Sequence, residues 1–266
     1  MPGRTVSWAF IGLYLVAHAA WSIAMNLGFR ADVVGLNTLT ANLLALLLLV
    51  TGLLFLVGQL KPSDVGLRAK DLLGGLLFTS LYFALLQAAL VGYANVTGLQ
   101  VVNQWARLGA ATATYLLVAQ FIGNALYEEV AFRGFLLPQL FIKFRRSGVA
   151  VGLVVAAVTS QALFALAHVP NRLWVTGLAP TELPMALLPL LILGLYFALL
   201  YLLTDNLLAV VGVHALNNEP LLALVGAGGG TVEGPHTGAA VVISLLLAVV
   251  WRLLRRAARA RQVTAA

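Results

Sequence analysis

Apolar runs of about 20 residues, the length that crosses a hydrocarbon core at the rise of an α-helix, recur along the whole chain between short polar intervals. They fall near 6–27, 38–60, 72–94, 109–141, 148–168, 183–203, 206–225 and 238–254. The pattern predicts an all-α, polytopic bundle of about eight transmembrane helices, with the fourth run long and interrupted. The whole of 1–266 reads as a single integral membrane domain, because the longest intervals, near 95–108, 169–182 and 226–238, are too short to hold a separate one. The first run follows Arg4 as a signal peptide would. It is too long and lacks a convincing small-residue cleavage site, so it reads as a retained helix.

Composition fixes the class. The chain is 61% hydrophobic and 9% charged, against about 25% charged in soluble domains, and its mean hydropathy is +0.97. Cysteine is absent, which removes disulfides, thiolate metal ligands and a cysteine nucleophile. The net charge of +7 does not point to nucleic acid, because the basic residues sit in short intervals and a terminal tail. Membrane orientation accounts for them better. With the N-terminus inside, Arg4, Lys61, Arg68, Lys70, Arg133, Lys143, Arg145, Arg146, Arg252, Arg255, Arg256, Arg259 and Arg261 fall on the cytoplasmic side, and Arg30, Arg107 and Arg172 outside. This bias predicts a multi-pass membrane protein with both termini cytoplasmic. The basic tail after Trp251 reads as an anchor on anionic headgroups.

Polar residues that remain inside the runs carry the chemistry, since an ionisable group at membrane depth marks a functional site by default. Glu128, Glu129 and Arg133 lie within six residues. Glu129 and Arg133 are spaced i,i+4 with the acid first, the better orientation for an ion pair, whereas Glu128 points about 100° away. Glu128 is therefore the candidate for chemistry and Glu129–Arg133 for support, with a pure ion-pair lock between helices as the bland alternative. Gln120, Asn124 and Glu128 form one stripe at i, i+4, i+8, Gln161 and His168 share a face one heptad apart, and His214 and Asn218 are spaced i,i+4. Counted from the loop at 144–147, Glu128 and His168 lie at roughly 25 and 30 Å along antiparallel helices, and His214 and Asn218 rise to a similar layer. Asn217 reads as a helix–helix hydrogen-bonding residue, and Asp205-Asn206 as the cap of the seventh helix. Glu219-Pro220 reads as a bend. His18 has no acidic neighbour and His236 lies in a Gly-rich loop, so both read as satisfied structural histidines.

In order, Glu128-Glu129-x-x-x-Arg133, Phe164-x-x-x-His168 and His214-x-x-x-Asn218 resemble the motifs of the CPBP intramembrane protease family, also called Abi or CAAX-protease-like, which includes the Rce1-type prenyl endopeptidases. The resemblance covers about 110–225 and includes Phe132-Arg133-Gly134-Phe135 and the run from Ser160 to His168. It implies a glutamate-dependent endopeptidase acting on a membrane-associated protein or peptide. Glu128 would activate water, His168 would hold it, His214 and Asn218 would form the oxyanion site, and Glu129, Arg133 and Phe164 would support them. A zincin His-Glu-x-x-His motif and a Gly-x-Ser-x-Gly turn are both missing. No cofactor is the preferred reading, since Asn218 suits an oxyanion donor better than a ligand. Zinc on Glu128, His168 and His214 is the alternative, these being ligand types of catalytic zinc sites. Prenylated substrates are processed at the cytoplasmic face, whereas the charge bias puts this layer nearer the outer leaflet. Together these suggest a bacterial-type inner membrane and an exported or membrane-anchored bacterial-type protein substrate with a C-terminal segment to be clipped. The competing class is a non-proteolytic scaffold, immunity protein or proton-coupled transporter using the same residues, against which the lack of paired inverted repeats argues.

Overall fold

In the computed structural model, residues 4–264 are described, apart from the side chains of 259 and 261–264. The outermost residues of the 1–266 domain and the Arg259 and Arg261 side chains of the cytoplasmic charge set thus lie outside the described residues. In chain order the elements are α1 (Trp8–Arg30), α2 (Thr38–Val57), α3 (Leu72–Thr97), β1 (Gln100–Asn103), α4 (Gln104–Leu108), α5 (Ala110–Val118), α6 (Leu126–Glu128), α7 (Leu137–Phe144), α8 (Val149–Ala167), α9 (Leu183–Thr204), α10 (Leu207–Asn218), β2 (Leu222–Val225) and α11 (Glu233–Thr264). Wide π turns at Ala119–Ala125 and Glu129–Leu136 join α5, α6 and α7.

Local chemistry explains the helix starts. Ser7 accepts from the Phe10 amide to cap α1, and Asn37 and Thr40 satisfy each other's backbone amides at 3.0 and 2.9 Å in a capping box for α2. Asn206 caps α10 by accepting from the Leu208 and Ala209 amides. That bears out the cap expected at Asp205-Asn206.

Among the described residues, six helices are long and apolar enough to span a membrane, with α10 a shorter apolar seventh. The expected count of about eight differs at two runs. The fourth is divided by π turns and carries the buried charges. The seventh, expected over 206–225, ends at Asn218, because Glu219 stands before Pro220 and takes φ −126°, ψ 72°. A proline disfavours helical backbone at the preceding residue and has no amide to continue the ladder. The released chain forms β2, which pairs antiparallel with β1, Gln100 opposite Val225 and Asn103 opposite Leu222. This small ribbon is the one departure from an all-α architecture among the described elements.

The chain divides into two compact units, one comprising the residues up to Ala69 with Ile122–Leu199, the other Lys70–Phe121 with the residues from Leu200 onward. The first is built around the helical segment 129–140, buried on every side, as a central helix must be. Its Phe135 meets Tyr14 of α1 at 4.8 Å, and its Gln139 bonds the backbone of Val6 and Arg4 at 3.0 and 2.8 Å. The second packs α10 against α3 so closely that a Cβ on Gly212 would overlap the Thr79 side chain. Small residues at such crossings are how membrane helices gain contact where lipid supplies no hydrophobic drive. Outward faces of both units are apolar, as at Val16, Leu56, Leu73, Val96 and Leu246. That is a lipid-facing surface rather than a wetted one.

Candidate active site

Glu128 closes the single α-helical turn of α6, between the two π turns. Such turns reset the helical register and recur at functional sites. Here they leave Glu129 and Glu128 with different surroundings, as their sequence spacing anticipates. Glu129 and Arg133 are both fully buried, and Arg133 Nη1 donates to Glu129 Oε1 at 3.1 Å. The other terminal nitrogen of Arg133 donates to the Gly194 carbonyl at 3.3 Å. Its guanidinium lies 4.5 Å from the centre of the Phe164 ring and 5.4 Å from that of Phe197, the stacking a weakly hydrated planar cation favours. Gly194 permits this approach, since a Cβ there would crowd Gln161 and Phe164 at 3.0–3.1 Å. Arg133 must therefore be removed from the cytoplasmic charge set. It is an interior residue neutralised by Glu129, and the bias keeps its direction without it.

Phe164 does more than fill space. Its ring meets the His168 ring edge-on at 4.8 Å and the Phe132 ring at 5.2 Å, and its carbonyl faces His168 Nδ1 at 2.9 Å. A carbonyl can only accept, so this contact puts the proton of a neutral imidazole on Nδ1 and leaves the lone pair on Nε2. His168 Nε2 stands 3.8 Å from Glu128 Oε1, and the two side chains are 24% and 15% exposed. Unlike the Glu129–Arg133 pair, they remain reachable by a small molecule.

That exposure opens into a cavity of ≈ 280 Å³ within the first unit. Glu128 and His168 line it with Asn26, Asn42, Asn124 and Asn171. Asn171 donates to Asn26 at 3.1 Å, and Asn26 to the Ser22 carbonyl at 2.8 Å. His18 also lines the cavity, its Nδ1 2.6 Å from the Tyr127 hydroxyl. His18, read from the sequence as a satisfied structural histidine, is satisfied by that hydroxyl; Tyr14, His18, Ser22 and Asn26 recur every fourth residue along α1 and mark its inward face.

In the second unit, His214 is buried on α10, and Asn217 accepts a hydrogen bond from the Tyr82 hydroxyl of α3, the helix–helix role expected of it. Asn218 donates to Gln120 at 3.0 Å. The expected stripe is thus divided, with Gln120 serving Asn218 while Asn124 and Glu128 face the cavity of the first unit. Asn218 also borders a cavity of ≈ 470 Å³ shared with Glu219 and His236. Burial raises the Glu219 carboxyl above its ordinary range, opposed by a hydrogen bond from Gln120.

Glu128 and His168 are two of the three zinc ligands considered from the sequence. Among the described residues, no group of three or more His, Cys, Asp or Glu side chains is placed to hold a metal ion.

Residues 109–219 match the family model described as type II CAAX prenyl endopeptidase Rce1-like. The match takes in every motif residue from Glu128 to Asn218 and leaves out α1 to α4 and α11. No curated protein and no solved structure matches the chain.

Proposed function

We propose that this chain, whose residues 109–219 match the Rce1-like family model, acts as a CAAX-protease-like intramembrane peptidase and cleaves a peptide bond of a membrane-associated protein with water activated by Glu128. The carrying observation is the Glu128–His168 pair, 3.8 Å apart on the wall of a cavity in membrane helices. With Nδ1 of His168 committed to the Phe164 carbonyl, both facing atoms are acceptors. One water suits that separation by donating a hydrogen to each. As its oxygen bonds to the substrate carbonyl carbon, its proton passes to Glu128. Hydrogen-bond donors stabilise the charge that develops on the carbonyl oxygen. That role falls to His214 and Asn218, supported by the chemistry of an imidazole and an amide N–H and by their place in the motif. Glu128 then returns the proton to the amine nitrogen as the C–N bond breaks, yielding an amine and a carboxylic acid that keeps the second hydrogen of the water. A Glu128→Gln protein that still clips its substrate would end this reading.

The cavity lining favours a polypeptide main chain as ligand. A membrane helix satisfies its own backbone groups, and unwinding it in lipid exposes donors and acceptors at several kcal/mol each. Asparagine side chains both donate and accept, and four of them surround the cavity. They are suited to replacing the bonds an unwound segment gives up.

The reaction needs no metal on this proposal. Activity is expected to survive exhaustive treatment with a chelator, measured with zinc quantified in the same sample; stoichiometric zinc whose removal abolishes cleavage would transfer the water to a metal.

Orientation selects the substrate's side. Met25, Asn26 and Phe29 belong to the C-terminal end of α1, and Thr38 and Asn42 to the beginning of α2. With both termini cytoplasmic, as the basic bias favours, that end faces outward in a bacterial-type inner membrane. The substrate is then an exported or membrane-anchored protein clipped near its C-terminus. A reporter fused after Arg261 is expected to read as cytoplasmic, and an extracytoplasmic signal would reverse the assignment.

A further inference from the structure

Resting on the assignment of Glu128 as base, we infer that His18, on a helix outside the matched stretch, is a positioning residue that sets the orientation of Glu128 through Tyr127. The observations come from three directions. Tyr127 immediately precedes Glu128 in the three-residue turn of α6, so its side chain fixes the rotation of that turn. Its hydroxyl meets His18 Nδ1 at 2.6 Å, and the two rings stack at 5.7 Å with planes 13° apart. His18 in turn meets Phe132 edge-on at 5.2 Å, and Phe132 meets Phe164 likewise at 5.2 Å. Phe164 holds His168 by ring and carbonyl. His18 is therefore packed toward both partners of the 3.8 Å pair, toward Glu128 along the backbone of α6 and toward His168 through two phenyl rings.

The physical need is plain. The π turns on either side of α6 interrupt the regular i→i+4 ladder that would otherwise hold Glu128 in register. A hydrogen bond from a separate helix replaces that constraint. Tyr127 and His18 are nearly buried, at 5% and 8% exposure, and each satisfies a polar atom of the other that would be costly to leave unpaired. Misplacing a reacting group by about 1 Å can cost a hundredfold in rate, so a bond of ordinary strength has large leverage here.

The test uses the full chain in lipid nanodiscs with two readouts. The first needs no substrate: the rate at which dicyclohexylcarbodiimide modifies Glu128, located by mass spectrometry. His18→Phe keeps a ring against Phe132 and loses the hydrogen-bonding nitrogen; Tyr127→Phe loses the hydroxyl. Each is expected to change the labelling rate about threefold, the scale of one neutral hydrogen bond. The double variant should go no further than either single one. His18→Gln, whose amide retains hydrogen-bonding capacity, should restore the parent rate. The second readout is cleavage of an internally quenched apolar peptide, where kcat is expected to fall about tenfold in both Phe variants with KM held. Parent labelling rates in the single variants, independent addition of their effects, or no rescue by His18→Gln would overturn the inference. Cleavage persisting in Glu128→Gln would instead overturn the assignment of the base, while labelling of the His18 series would still report whether His18 orients Glu128.

Discussion

Glu128→Gln is expected to reduce cleavage of a membrane-anchored substrate by about a thousandfold, within the range lost with a general base. The amide is nearly isosteric with the carboxylate, so the approach to His168 and the cavity wall should remain and thermal unfolding in detergent should be unchanged. Lost activity then reports chemistry rather than folding. Glu129→Gln provides the contrast. Glu129 is fully buried against Arg133, so its neutralisation should lower stability first, by leaving a buried cation without its counter-charge. Two adjacent glutamates thus separate by which measurement each one moves. If Glu129→Gln kept its stability but lost turnover while Glu128→Gln kept turnover, the two roles would have to be exchanged.

Arg133→Leu carries the largest expected effect on stability. Removing one partner of a buried pair costs about 3–5 kcal/mol, because the remaining charge stays buried and uncompensated. Here the guanidinium also gives up its contacts with the Phe164 and Phe197 rings and its bond to the Gly194 carbonyl. The expected result is a marked fall in the unfolding midpoint in detergent micelles, with much of it recovered by Glu129→Leu in the same chain, since apolar replacement of a whole buried pair is often nearly neutral. An Arg133→Leu protein as stable as its parent would show that the pair is not a structural lock. Phe164 links this lock to the chemistry. It touches Arg133 on one side and His168 on the other, so damage at Arg133 should reach His168 through that ring.

The two glutamates also show how far residue order carries. Spacing alone separated them: i,i+4 with Arg133 made Glu129 the paired acid, and the offset of about 100° left Glu128 for another partner. In the structure Glu129 pairs with Arg133 at 3.1 Å, and His168 stands 3.8 Å from Glu128. What the count missed is instructive. Arg133 was taken as a topogenic charge because charge bias counts residues without knowing their burial. The run 206–225 was taken as a span because hydropathy averages across Pro220, whose missing amide ends the helix and allows the strand that follows. His18 was read as a satisfied structural histidine for want of an acidic neighbour, and it is satisfied, by the Tyr127 hydroxyl at 2.6 Å; which residue does so could not be read from the sequence because Tyr127 is distant along the chain.

The order of residues by itself determined the solvent and the segments: a chain with 9% charge must place its backbone in helices within lipid, because unpaired peptide groups are too costly there. It also determined which acid has a local counter-ion, since i,i+4 geometry acts within one helix. Only the tertiary structure decided that His18 and Tyr127 pair, that one phenyl ring serves both Arg133 and His168, and that Glu128 faces a cavity. These contacts join helices far apart in the chain, and in lipid the packing that selects them depends on shape and a few hydrogen bonds rather than on hydrophobic pattern.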